Sequence, residues 1–170
     1  MHAIKQFSYV GALLSGYNCA DKSCVGDVVP ANNHGLGTFN SLDGECVIYQ
    51  GKMYQVKKGG EAKLITDVSI NMPFYVASTM DYDNCCAIGG NNFSSLSEEL
   101  LKNRLYENTI ASIFVTGHFE EISLRAICKV PRGTKLSNAV EFQSNYTLKN
   151  IQGYLIGFYF PKFMPSVNVP

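Results

Sequence analysis

The spacing of turn signals between Gly35 and Gly60 constrains this chain more than any other feature. The run Gly35 to Glu45 reads GLGTFNSLDGE, and its Asp43-Gly44 dipeptide is a strong signal for a tight hairpin turn. Glu45 to Gln50 (ECVIYQ) follows as a strand, Gly51-Lys52 marks another turn, and Met53 to Lys57 (MYQVK) makes the next strand. Strands joined this closely leave no room for a crossover and must run antiparallel, so the expectation is a meander. Glu45 stands at its first bend, beside a glycine that lets a ligand approach the backbone. A carboxylate there is a candidate catalytic group. The competing reading is a solvated turn residue, which is what most carboxylates are.

The rest of the chain reads as short elements. Phe7 to Leu14 has apolar residues at helical spacing and stops at Gly16, which predicts a short helix. Val25 to Val29 reads as another helical turn closed by Pro30, and Asn32 to Gly35 as a loop. Lys63 to Thr66 is a fourth short strand, and Met72 to Met80 a buried strand in spite of Pro73. After a polar loop at 81–94, Ser95-Leu96-Ser97-Glu98 has the form of a capping box, with Leu96, Leu100, Leu101 and Leu105 on one face of a helix running to about Tyr106. Thr109 to Val115 reads as a strand, Thr116-Gly117 as its turn, and Phe119 to Val130 as a longer strand. Asn138 to Asn145 has helical tendency, Ile151 to Phe160 is a strongly apolar strand, and Pro161 to Pro170 has no periodicity. The expected fold class is α+β: antiparallel or mixed β-sheet meanders with short covering helices. Residues 1–170 are expected to form a single domain, with 81–94 as the candidate boundary.

Composition excludes several classes. Formal net charge is zero, and Lys57-Lys58 is the one basic doublet, so no footprint for nucleic acid or an anionic membrane is present. No apolar run reaches the length of a membrane span, and the N-terminus makes a poor signal peptide, so a cytoplasmic protein is expected. The six cysteines (Cys19, Cys24, Cys46, Cys85, Cys86, Cys128) contain no C-x-x-C and read as reduced thiols, several of them small core hydrophobes. There is no P-loop, no G-x-S-x-G and no H-E-x-x-H. His2, His34 and His118 are isolated in sequence and read as surface or loop residues rather than metal ligands. Arg125 differs, because it sits in an apolar strand (ISLRAICKV) where a guanidinium needs a carboxylate partner or an anionic ligand.

One resemblance spans nearly the whole chain. GLGTFNSLDGE, with the GKMYQVKKGG that follows, resembles the G-x-G-T-F-N-x-L-D-G-E signature of the alpha-acetolactate decarboxylases. FSYVGALLSG is similar to that family's amino-terminal helix, Met72-Pro73-Phe74 to its T-P-F strand start, and Thr116 to Phe119 to its G-T-F turn. Leu124-Arg125-Ala126-Ile127 is similar to its T-R-S-V segment, and Gly153 to Pro161 with Val167 to Pro170 to its G-T-L-V-G-F-W-x-P and I-N-V-P stretches. The resemblance implies that Glu45 and Arg125 occupy the places of the catalytic glutamate and arginine. Thr38 falls on the threonine of the substrate pocket. It further implies a cytoplasmic homodimer that converts 2-acetolactate to acetoin and CO2 in the acetoin and butanediol pathway. Zinc would act as the Lewis acid toward the enediolate, the arginine would hold the departing carboxylate, and the glutamate would deliver the final proton.

The same comparison shows a departure. In the family, I-N-V-P is followed by G-Y-H-L-H-F, which carries two zinc histidines, with a third histidine and a second catalytic glutamate beyond. The residues in hand end at Pro170, and neither His2, His34 nor His118 stands at a matching position. Cys128 also replaces an expected proline. The expectation is therefore a chain with no matching zinc ligands and no measurable decarboxylase activity alone. The alternative is a non-catalytic homologue with a binding or oligomerising role. An unfilled sheet face should also leave an exposed apolar patch that promotes self-association.

Overall fold

The computed structural model describes residues 3–83, 87–102, 108–161, 163–164 and 167. Six strands form one sheet: β1 (Ile4–Phe7), β2 (His34–Thr38), β3 (Glu45–Tyr49), β4 (Lys52–Val56), β5 (Ala62–Leu64) and β6 (Phe74–Ser78), in the order β1-β6-β2-β3-β4-β5. Every neighbouring pair in it is antiparallel. Two strands of 17 residues, β7 (Ala111–Ile127) and β8 (Gln143–Tyr159), form a separate antiparallel ribbon. The helices are short: α1 (Val10–Leu14), α2 (Val25–Val28), α3 (Phe93–Lys102) and α4 (Leu136–Ala139). This is the antiparallel α+β architecture that the sequence indicates.

Alternation along β3 divides the interior in two. Cys46 and Ile48 point to one face, into a core with Val25 and Val28 of α2, Phe39, Met53 and Met72. Glu45, Val47 and Tyr49 point to the other face, as the period of two requires, and that face meets the ribbon. Tyr49 stacks on Phe114 of β7 with ring centroids 5.9 Å apart, and Tyr154 of β8 stacks on Phe114 at 5.2 Å. A second core joins Leu13 of α1, Leu42, Val130 and Ala139 of α4, with Phe74, Ile127 and Leu136 packed against them.

Several local readings are corrected by long-range pairing. Phe7 belongs to β1, where it pairs with Tyr75, and the helix starts only at Val10. The β2–β3 connection is not a two-residue hairpin at Asp43-Gly44; it takes residues 39–44, with a short 3-10 turn at Asn40–Leu42. The tight turn lies between β3 and β4, where Gln50 (φ 49°) and Gly51 (φ 72°) both adopt the left-handed conformation that such a turn demands. Thr116-Gly117 is no turn, since both residues run straight through β7 opposite Tyr154 and Gly153. Residues 143–145, read as helix-prone, open β8. The capping box of α3 is formed by Asn92 and Ser95 rather than Ser95 and Glu98: Asn92 Oδ1 accepts from Ser95 N–H at 2.9 Å, and Ser95 Oγ accepts from Asn92 N–H at 3.1 Å. The expected helix residues Leu105 and Tyr106 lie outside the described residues, as do Cys85 and Cys86. Cys19, Cys24, Cys46 and Cys128 are free thiols, with Cys46 buried in the core.

Candidate active site

The placement of Glu45 begins with the loop before it. Thr38 and Glu45 are the last pair of the β2–β3 ladder. Thr38 Oγ1 donates a buried hydrogen bond to Gly44 O at 2.9 Å, which closes the loop one residue short of Glu45. Gly44 is required there, because its φ is +84° and a Cβ would lie 2.6 Å from Val56 O. Gln55 Nε2 donates to Asp43 O at 2.5 Å, and Lys57 Nζ pairs with Asp43 Oδ2 at 2.8 Å on the outside. Glu45 thus leaves a pinned loop on the strand face that meets the ribbon.

Arg125 arrives from β7. Its neighbour Ala126 is fully buried, so alternation turns Arg125 outward, where it is exposed. Two residues on, Ile127 presents its backbone N–H to the Glu45 carboxyl. Burial pushes the Glu45 pKa above the ordinary glutamate value, and that effect outweighs the Ile127 hydrogen bond and the Arg125 charge, which both pull it down. Glu45 accordingly keeps its proton to higher pH than a solvated carboxyl. Arg125 forms no ion pair among the described residues, so its charge is available to an anionic ligand. On the ribbon's far strand the Tyr146 ring rests on Gly60, where a Cβ would come within 2.5 Å of it. Burial first, and then the neighbouring Glu45 carboxyl when ionised, raises the pKa of that phenol above its ordinary value.

The three residues singled out in the sequence, Thr38, Glu45 and Arg125, line one cavity of about 510 Å³. That volume suits a small organic ligand. Leu13, Leu42, Phe74, Ile127 and Leu136 make its walls apolar, and Gln143 is the further polar residue on it. Arg125 also borders a second, more open groove of about 480 Å³ with Ser123 and Tyr146. Gln143 and Tyr146 escaped the sequence reading because β8 was expected to start at Ile151. The period-two pattern of Asn145, Thr147 and Lys149 alternating with Tyr146 and Leu148 was the available signal.

The zinc implied by the resemblance does not fit the residues present. His34 is no surface loop residue: it begins β2, is wholly buried, and has Nε2 3.3 Å from Gly157 O and Nδ1 3.4 Å from the Tyr82 hydroxyl. Burial holds its pKa below the usual histidine value. His118 is exposed midway along β7, and His2 lies outside the described residues. Among the described residues no group of three His, Cys, Asp or Glu side chains could hold a metal ion.

Comparison with known proteins gives this chain a family and a fold. The model of the alpha-acetolactate decarboxylase family matches residues 4–170. The chain is 29% identical to the alpha-acetolactate decarboxylase of Brevibacillus brevis over 170 residues, covering 97% of this chain and 58% of that protein. With the Methanosarcina mazei enzyme of the same name the identity is 32% over 151 residues, covering 86% and 51%. The chain therefore spans little more than half the length of these relatives. The crystal structure of alpha-acetolactate decarboxylase from Bacillus subtilis has the same fold, with a TM-score of 0.88 at 23% identity over 98% of this chain and 71% of that one. A Staphylococcus aureus protein described as similar to alpha-acetolactate decarboxylase superposes with a TM-score of 0.85 at 17% identity.

Proposed function

The chain belongs to the alpha-acetolactate decarboxylase family, and on that premise we propose that its cavity binds 2-acetolactate and contributes to the conversion of 2-acetolactate to acetoin and CO2. One observation carries the reading. Glu45 and Arg125, eighty residues apart in the sequence, line a single apolar-walled cavity in which burial raises the pKa of the glutamate above its ordinary value. A guanidinium that forms no ion pair among the described residues is suited to a ligand carboxylate, which it can hold by paired hydrogen bonds. A carboxyl whose pKa is raised toward the working pH is better suited to giving up a proton than a solvated one.

In the reaction the bond between the carboxylate carbon and the carbinol carbon breaks, and CO2 leaves. The electron pair passes onto the neighbouring ketone and forms an enediolate. Glu45 then donates its proton to the carbinol carbon, giving acetoin, and regains a proton from water. Arg125 holds the carboxylate before the bond breaks. Thr38 contributes by holding the loop that presents Glu45, since its proton is committed to Gly44 O.

A second reading, binding without turnover by these 170 residues, is favoured by one observation: the described residues contain no cluster able to hold a metal ion. The two readings share the cavity and separate in one experiment. Purified chain is titrated with 2-acetolactate by calorimetry and assayed for acetoin with added zinc. Heat of binding that vanishes in Arg125→Leu supports the cavity. Acetoin formed in proportion to protein supports the decarboxylase reading, and binding without acetoin supports the second. Absence of binding refutes both. By the same family resemblance we further propose a single domain over residues 1–170, a homodimer and a cytoplasmic location. Among the described residues no helix is long and apolar enough to cross a membrane. Sedimentation of the full chain tests the dimer.

A further inference from the structure

Gln143 is the polar residue of the cavity to which no role has yet been given. It is the first residue of β8, paired with Ile127, whose backbone N–H holds Glu45. It is also diagonal to Arg125, which pairs with Asn145 two residues further along. On an antiparallel ribbon such residues share one face, with side chains close enough to meet a common ligand. Its backbone is held from both sides. The preceding α4 is anchored by the fully buried Ala139, and Cys128 N–H donates to Phe142 O at 3.2 Å. The Gln143 side chain is half-buried among apolar walls, yet its amide makes no hydrogen bond to any described residue. A half-buried amide on a cavity wall offers two donors and an acceptor to a ligand.

We propose that Gln143 is a ligand-contacting, specificity-determining residue, which reads a hydroxyl group next to the ligand's carboxylate. The proposal rests on the cavity reading above and deepens it. The division of labour follows from the chemistry of the three groups. Arg125 recognises the carboxylate charge, Glu45 carries the proton to be delivered, and the Gln143 amide, which gives up no proton in the reaction, can both accept from and donate to an alcohol. The hydroxyl of a 2-hydroxy acid gives the amide oxygen a donor, whereas the same acid without the hydroxyl leaves that oxygen unpaired.

The test uses two small acids that differ in that one group, 2-hydroxyisobutyrate and isobutyrate, titrated into the full chain and followed by amide chemical shifts. The wild-type protein is expected to prefer the hydroxy acid by roughly three- to tenfold, the worth of one neutral hydrogen bond. Gln143→Leu is expected to abolish that preference with little change in isobutyrate binding, whereas Arg125→Leu should weaken both acids together. A second variant, Gln143→Glu, keeps the side-chain length and should repel both anions, which guards against a folding defect in the first. If Arg125→Leu weakens both acids while Gln143→Leu leaves the preference intact, the Gln143 assignment is overturned and the cavity reading stands. Equal binding of the two acids by the wild-type protein also overturns it. If neither acid binds, the cavity reading fails and takes this assignment with it.

Discussion

Replacing Glu45 by glutamine separates the cost of the site from its use. The carboxyl is half-buried, accepts the Ile127 N–H and lies within reach of the Arg125 charge, yet burial outweighs both and raises its pKa above 4.5. Because the folded state holds the proton more tightly than the unfolded chain does, stability is full below the unfolded value and is lost as pH rises through the folded value. A charge-assisted hydrogen bond contributes about 1.5–3 kcal/mol, so burial costs at least that much in the ionised form. Glutamine keeps an acceptor for Ile127 and removes the charge. At neutral pH Glu45→Gln should therefore be more stable by about 1 kcal/mol, the scale seen when a functional site is relaxed, or roughly 2–4 °C in Tm for a chain of this length. Below the unfolded value of 4.5 the wild-type carboxyl is itself neutral and the gain should vanish. Urea unfolding on either side of that value measures both quantities. A gain of equal size at both pH values, or a loss at neutral pH, would refute the reasoning.

Three further outcomes follow from the same geometry. His34, with its pKa depressed by burial, should cost stability as pH falls below its unfolded value of 6.5; in His34→Asn that acid-side slope should flatten in urea titrations, at a cost of about 1–3 kcal/mol at higher pH from the unpaired Gly157 carbonyl. Thr38→Val removes the donor to Gly44 O and should destabilise by about 1–3 kcal/mol, while Thr38→Ser should retain most of the stability; equal losses in chemical denaturation would count against the loop-closing role. Gly37→Ala would bring a Cβ within 2.5 Å of Phe74 O and 2.9 Å of Tyr75 Cβ, between β2 and β6. An overpacking loss of about 1–3 kcal/mol is expected, read as a lower urea midpoint, and an unchanged midpoint would show that the strands can part.

Legibility in the sequence followed the range of the interaction. The meander over β2, β3 and β4 was readable because turn residues and strand alternation act over a few residues; Glu45 stood out at its first bend, Arg125 as a charge in an apolar strand, and Thr38 through the GLGTFNSLDGE run. The readings that failed were those where a local signal met a long ladder. Thr116-Gly117 looks like a turn, but sixteen cross-strand pairs between β7 and β8 hold it extended, and the backbone hydrogen bonds of such a ladder outweigh the weak preference of one dipeptide. Asn32 to Gly35 looks like a loop, but His34 gains a strand partner on each side, Tyr49 and Ser78, and is buried by them. Gln143 and Tyr146 were missed for the same reason, since their strand exists only because β7 lies beside it.

The amino-acid order by itself therefore determined the antiparallel class, the face of β3 that Glu45 occupies, and the residue types suited to an acid and an anion. These depend on backbone chirality, period-two alternation and side-chain chemistry, all of which are local. Only the tertiary structure decided that β7 delivers Arg125 and the Ile127 N–H to Glu45, that Gln143 joins them, and that burial raises the glutamate's pKa. Each of these depends on which distant segments exclude water from one another, and desolvation is a property of the assembled cavity that no residue carries alone.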